Sequence, residues 1–265
     1  MWERLQPETR KKSAMIVGPW GHATAVSPKA EYPLEHGNIP ADYGVEWVNS
    51  IRENKPYKYA KVNKVNYYSI GGDSCKDTEY PVRKKNKIRL YFNTDAENLR
   101  DNTVRPYQYE PEKRVDCFKS HNIYIAHEMN SVDGVLSFQS EEFTEKKEFF
   151  GESRWHMNVS SDCEDTAFFM RVYFTENGIS YNLTETITSL SHICKDYKPG
   201  TKITIDLKTP PIAFTVKPGT RIRVDIASDG GIYVPHANVK GHWTQVSECK
   251  VANNSVYLDD FFIEL

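Results

Sequence analysis

Four segments in the last third of the chain alternate apolar and polar residues with a period of two: "TKITIDL" from Thr201, "AFTV" from Ala213, "TRIRVDIAS" from Thr220 and "NSVYLDDFFIEL" from Asn254. That period sends successive side chains to opposite faces of an extended chain, so each segment reads as a strand with one buried face. Pro199-Gly200 and Pro218-Gly219 supply turns between them. β-Branched and aromatic residues dominate the strands, and no sustained helical period follows Asn54. Short strands with regularly spaced turns predict a mainly β chain folded as a jelly-roll β-sandwich, with its outer faces turned to solvent.

The first sixty residues read differently. After the basic run Arg10-Lys11-Lys12 comes the unbroken apolar run Ala14 to Val17, too short to span a membrane and the natural pattern of a strand buried on both faces. Gly18 and Pro19 stop it, because proline cannot donate to a β ladder. Trp20-Gly21-His22 then falls in a loop just past the sheet edge, where a rigid scaffold can aim a side chain at a substrate. His22 is therefore a candidate general base. The segment "ADYGVEWVNSIRENKPY" offers Asp42 as an N-cap, places Tyr43, Trp47, Val48 and Ile51 on one stripe of a helix of about three turns, and ends before Pro56. In "VNKVNYYSIGGD", Tyr67, Tyr68 and Ile70 are expected in a core, with Gly71-Gly72-Asp73 as a turn.

The string "MIVGPWGH" resembles the histidine motif of the CocE/NonD hydrolases, the group that includes cocaine esterase, α-amino acid ester hydrolases, glutaryl acylases and X-Pro dipeptidyl-peptidases. Later segments match the same family in order. Between Asp133 and Ile187 the anchors are Leu136, Phe138, Gly151, Val159, Ser160, Ser161, Asp165, Thr166, Phe168, Gly178, Asn182 and Leu183, and the runs "YKPGTKITIDLKTPPIAFTVKPGTRIRVDIASD" and "VANNSVYLDD" continue the pattern. The match is weakest between about Lys76 and Ser131. The resemblance implies a galactose-binding-like jelly roll over residues 61–265, of the X-Pro dipeptidyl-peptidase C-terminal type. It is preceded over residues 1–60 by the last strand and helix of an α/β-hydrolase domain. It also implies that His22 is the third member of a Ser-Asp-His triad, that the substrate is a small ester, an amide or a short peptide, and that no metal or organic cofactor takes part.

An α/β-hydrolase carries its nucleophile on a strand-turn-helix elbow, in the chain order Ser, acid, His. No G-x-S-x-G elbow occurs in these residues. Ser69 before Gly71-Gly72 and Ser228 before Asp229-Gly230-Gly231 sit in β-turn contexts without a following helix, and Asp42 and Asp73 could approach His22 in an arrangement for which the family offers no precedent. An imidazole alone is a weak acyl-transfer catalyst, since the triad also needs a nucleophile, an orienting acid and an oxyanion hole. The chain is therefore expected to be catalytically incomplete by itself, with Ser and Asp supplied upstream or by a second polypeptide. A truncated hydrolase, a split or decayed gene and a two-chain enzyme all fit. Residues 13–55 should then fold onto the jelly roll or exchange between protomers, so that a homo-oligomer or association with an N-terminal hydrolase part is expected.

Two other readings compete. A free-standing jelly roll could bind carbohydrate through Trp155, Trp243, Tyr233 and Tyr257, or could serve only in assembly. Two departures from the family pattern mark a divergent branch: Val234-Pro235-His236 in place of Phe-Pro-Arg, and Glu185-Thr186 where Asp-Gly precedes an arginine-rich strand. His236 and His242 read as loop histidines.

Composition excludes other classes. Charged residues make up 26% of the chain but the formal net charge is only −2, which argues against a nucleic-acid partner. The cluster Arg83 to Lys87 with Arg89 reads as solvated loop or edge strand. No segment has the length of a membrane span and the first residues lack a signal-peptide core, so no membrane association and a cytoplasmic location are expected. Cys75, Cys117, Cys163, Cys194 and Cys249 are widely spaced and form no C-x-x-C pair, so they read as reduced thiols. Asp162, Glu164 and Asp165 lack the spacing of a cation site and read as a turn at a strand end.

Overall fold

The computed structural model describes residues 2–18, 42–72, 75–79, 88–92, 103–113, 125–231, 233–241 and 248–265. After a 3-10 turn at Trp2–Arg4 come α1 (Pro7–Lys11), β1 (Met15–Val17), α2 (Tyr43–Arg52), β2 (Val65–Tyr68) and β3 (Cys75–Thr78). Next follow β4 (Arg89–Tyr91), β5 (Val104–Tyr109), β6 (Leu136–Gln139), β7 (Lys147–Gly151), β8 (Arg154–Ser161) and β9 (Ala167–Glu176). The chain continues through β10 (Ile179–Ser189), α3 (Leu190–Ile193), β11 (Ile203–Lys208), β12 (Ile212–Val216), β13 (Arg221–Ala227) and β14 (Ala252–Glu264). The expected mainly β architecture is observed. The elements gather into two compact units, one built from Met1–Lys85, Lys147–Gly151 and Ile212–Thr215, the other from the remaining three stretches.

In the first unit β1 pairs in parallel with β2, Met15 opposite Val65 and Val17 opposite Tyr67, and β3 pairs antiparallel on the other side of β2. The sheet is therefore mixed, one parallel and one antiparallel pair. Its small core is aromatic: Trp2, Val65, Tyr67 and Phe150 are buried together, and the Tyr67 and Phe150 rings stack 4.2 Å apart. Phe149 stacks on Phe214 at 5.0 Å, and Ile70 bridges in parallel to Phe214. Here the structure corrects three expectations. β1 is half-buried rather than buried on both faces, with Val17 42% exposed. Tyr68 and Ile70 are half-buried, whereas the polar Asn66 and Ser69 beside them are buried, Asn66 donating to the carbonyls of Met15 and Lys61. On α2, Val48 is 54% and Ile51 63% exposed, and no residue of the helix is buried.

The second unit is a β-sandwich. One sheet has the order β10-β9-β13-β6, all antiparallel, and the other β11-β8-β14-β4 with β5 also paired to β14. Strand β14 serves two partners in turn, β5 along its first half and β4 along its last, with a register shift between Tyr257 and Phe262 that lets the strand bend from one to the other. The β9–β10 hairpin closes through Asn177-Gly178 at φ 52° and 78°, the left-handed pair that matches strand twist. Pro218-Gly219 turns the chain into β13 as expected, with Gly219 at φ 86°. The sheets meet through Phe138 against Phe261 and Tyr107 against Phe168, both edge to face.

The outer face of the β9 sheet departs from the sequence reading. Alternation puts Phe168, Met170, Val172 and Phe174 of β9 inward, which turns Arg171 and Tyr173 outward, yet all are buried. On β13 the outward Arg223 and Asp225 are buried too. Residues 125–127 cover part of this face: Ile125 bridges to Tyr181, and the Ala126 N–H donates to the Ser180 carbonyl at 2.9 Å. Period-two alternation reports which side chains share a face, not whether another segment lies over it. Phe168, fully buried between the sheets, should be costly to truncate. Phe168→Ala is expected to destabilise the protein by about 3–5 kcal/mol, measured as a shift of the denaturant midpoint at constant slope.

Candidate functional site

Strand β1 ends at Gly18 as the sequence predicts. His22 itself, with residues 19–41, lies outside the described residues, as do Asp73, His242 and Trp243. What is described of the His22 surroundings is the frame that follows it in the chain. Asp42 stands at the N-terminus of α2, where a capping side chain was expected, but it makes no capping bond. Its carboxylate instead accepts from the Tyr59 hydroxyl at 2.6 Å and from Lys58 Nζ at 3.0 Å. These two donors hold the Asp42 carboxyl below its usual range, and Asp42 in turn raises the Tyr59 and Lys58 pKa values. Tyr43 stacks on Tyr59 at 4.6 Å, and Tyr57, whose hydroxyl donates to the Tyr43 carbonyl, meets Tyr43 and Trp47 edge-on. This aromatic clamp fixes the start of α2, while the Val45, Val48 and Ile51 side chains stay exposed.

The β-sandwich unit holds three buried ionic groups that sequence reasoning missed. Arg223, 2% exposed, donates to both Asp225 oxygens at 2.8 Å, to the His127 carbonyl at 2.7 Å and to His127 Nε2 at 3.2 Å. A guanidinium can only donate, so Nε2 presents its lone pair. One strand over, Arg171 donates through Nε and Nη2 to Glu185 Oε2, while Glu185 Oε1 accepts from the Tyr233 hydroxyl at 2.9 Å. Burial, reinforced by Glu185, pushes the Tyr233 hydroxyl up to about 12. Glu185, a departure from the family pattern in sequence, is thus the counter-ion of the single arginine in β9. A lone arginine inside "AFFMRVYF" was the available signal, because an arginine in an apolar strand is rarely buried unless paired.

The third group corrects the reading of His236 as an ordinary loop residue. His236 and Asp165 are both fully buried, with Nε2 3.3 Å from Oδ2. The Asn238 N–H donates to His236 Nδ1 at 3.0 Å, which leaves the ring proton on Nε2, facing the carboxylate. Asp165 also accepts from the Ser191 N–H at 2.9 Å and the Ser191 hydroxyl at 2.5 Å. Burial works to raise its pKa, but the donors from His236 and Ser191 outweigh it, and the result lies below the ordinary carboxylate range. Asp162, by contrast, serves the strand-end turn that was expected, accepting from the Asn253 N–H and side-chain amide.

None of these groups is a nucleophile with its base. Ser69 bonds Thr215 at 2.8 Å, Ser228 bonds Tyr107 at 3.0 Å, and Ser191 is spent on Asp165. The aromatic side chains considered for sugar binding are otherwise engaged. Trp155 is buried on β8, which pairs with β11 on one side and β14 on the other, Tyr233 bonds Glu185, and Tyr257 bonds Ser160 with Lys202 over its ring. Arg89 of the basic cluster pairs with Glu264 and lies over the Phe262 ring at 4.2 Å. Cys163 is buried, and burial raises its thiol to about 11, far from a reactive thiolate. Among the described residues no cluster of His, Cys, Asp or Glu is arranged to hold a metal ion, and no helix is long and apolar enough to cross a membrane.

Because the folded pKa of Asp165 is depressed, its contribution to stability is fully present above the unfolded carboxylate pKa, near 4, and is lost as pH falls through the lower folded value. The unfolding temperature of the native protein should fall steeply with acid below about pH 4. Asp165→Asn should lower stability near neutral pH and flatten that acid limb, which thermal unfolding followed from pH 7 downward would show.

A family model described as X-Pro dipeptidyl-peptidase C-terminal non-catalytic domain matches residues 59–257. Comparison with curated protein sequences returns no match. Among solved structures, an aminopeptidase from a marine sediment Thaumarchaeota archaeon superimposes with a TM-score of 0.78 at 15% identity, over 97% of this chain and 50% of that one. An α-amino acid ester hydrolase gives 0.77 at 13% identity, over 99% and 51%. A CocE/NonD family hydrolase from Staphylococcus aureus gives 0.50 at 13% identity, over 80% and 41%. The chain spans about half the length of the first two, and at these identities the likeness is one of fold. The family match covers most of the chain, which therefore belongs to the X-Pro dipeptidyl-peptidase C-terminal non-catalytic domain family.

Proposed function

We propose that this chain is the non-catalytic rear part of a CocE/NonD-type serine hydrolase, and that it brings one catalytic group, His22, to an active site completed by residues outside this sequence. In this reading residues 1–60 are the end of an α/β-hydrolase domain and residues 61–265 the jelly roll. A serine attacks an ester or amide carbonyl of a small molecule or short peptide, His22 takes the serine proton and returns it to the leaving group, and an aspartate orients the imidazole. No step calls for a metal or organic cofactor, and the reaction is placed in the cytoplasm.

The observation that carries the reading is the state of β1 and α2. A strand that pairs in parallel, runs into the "GPWGH" motif and has Val17 exposed is followed by a helix with Val45, Val48 and Ile51 exposed. Exposed apolar side chains at helical spacing, on a helix that follows a parallel-paired strand in the chain, fit an element that packs against further α/β structure. The archaeal aminopeptidase and the α-amino acid ester hydrolase are each about twice the length of this chain, which supports a hydrolase part as the partner; exchange between two copies of this chain is the homo-oligomeric alternative for the same surface.

A fluorophosphonate probe is expected to leave the isolated 265-residue chain unlabelled and to label a serine of the hydrolase part when the two are present together. His22→Ala should then lower kcat by about 10⁶-fold while leaving the assembly intact by size-exclusion chromatography. Labelling of any serine within residues 1–265, or full activity of His22→Ala, would overturn the assignment.

A further inference from the structure

We infer that the β-sandwich unit carries a saccharide-binding pocket, independent of the hydrolase reading and distinct from the aromatic residues that sequence alone suggested. A cavity of about 920 Å³ opens between the segment Ile125 to Val132, the β9–β10 hairpin and the turn into β13. That volume lies within the range of small-molecule sites. Its lining includes two buried polar side chains, His127 and Arg223.

The chemistry of the walls selects the ligand class. Arg223 has five N–H groups; Asp225 takes two, the His127 carbonyl takes one, and His127 Nε2 with Ser137 shares another. One Nη1 hydrogen remains in a guanidinium that is held rigid. Arg221 is neutralised in the same way, donating to the Ser140 carbonyl at 2.9 Å and to Glu142 at 3.0 Å. Both cations of the pocket thus carry their own carboxylate, and Glu128 adds a further carboxylate to the lining, so a phosphate or carboxylate ligand finds no net positive charge there. Gln139 and Asn177 add amide donors and acceptors, and Thr175 and Ser180 add a hydroxyl pair bonded at 2.8 Å. Met129, Val132 and Ile179 supply apolar surface in the same cavity.

A ligand that offers hydroxyls to these donors and to the carboxylates, and C–H faces to the apolar surface, fits this wall, and a pyranose is such a ligand. The cavity has room for one or two such rings. A preformed polar wall also limits the ordering cost of binding, because the Arg223 fork is fixed before the ligand arrives.

The test is a titration of the uniformly ¹⁵N-labelled protein, followed by amide shifts. Glucose, galactose, maltose and lactose are the saccharide probes, with inorganic phosphate and lysine methyl ester as charged controls. Saturable shifts are expected for at least one saccharide at the amides of Gln139, Ile179 and Arg221. Gln139→Leu, which removes a donor and an acceptor at nearly constant volume, should weaken that affinity by about tenfold or more. Ile179→Trp, an exposed position beside the hairpin turn, should block the mouth and abolish binding while the unfolding midpoint stays near that of the native protein. Silence toward all four saccharides, shifts confined to Tyr91 and Tyr257 on the other sheet, or saturation by phosphate or lysine methyl ester alone would each overturn the proposal.

Discussion

Strand β9 is buried on both faces, and one of those faces carries charge. An arginine removed from water must keep its charge and find counter-ions, because leaving it unpaired costs several kcal/mol while a half-satisfied pair is worse than none. Arg171 and Arg223 meet that demand with carboxylates from neighbouring positions, Glu185 across the β9–β10 ladder and Asp225 two residues along β13. The register of this sheet is therefore fixed twice, by the apolar residues that face the sandwich core and by the ion pairs on the opposite side. A slip of one residue would turn every arginine into the core. Segment 125–127 can lie over the sheet because the Arg223 guanidinium supplies donors to the His127 carbonyl and ring.

The same constraint shapes the functional surface. The polar layer ends where the hairpin turn and the turn into β13 diverge, and the pocket opens there with one rigid guanidinium in its lining. In the other unit the logic is reversed: Val17 of β1 and Val45, Val48 and Ile51 of α2 stay exposed.

The mainly β architecture, the Pro-Gly turns and the strand before Gly18 were legible in the sequence, because period, turn chemistry and strand stops are local properties. The family was legible for the same reason, since its anchors recur in order from Leu136 to Leu183. The buried ion pairs were not. Arg223 and Asp225 sit in a strand that alternates in the usual way, and only the fold reveals that residues 125–127 cover their face. Asp165 and His236 are separated by seventy residues and read as turn and loop. Asp42 was correctly placed at the start of α2, but the competition between its own backbone and the Tyr59 hydroxyl was not visible in a capping pattern. The one local clue was Arg171, a charge set among aromatic residues. Its partner Glu185 looked like a loss from the family pattern until the register brought the two together.

The claim on which the sandwich rests is that Arg223 and Asp225 act as one buried unit, and a double-mutant cycle measures it directly. Unfolding free energies of Arg223→Met, Asp225→Leu and the double variant would be compared with the native protein by urea titration. Each single change should cost about 3–5 kcal/mol, because it strands a buried charge. The double variant should cost far less than the sum of the two, since it removes the stranded charge along with the pair. Additive losses would contradict the account and show that the two side chains stabilise the sheet independently.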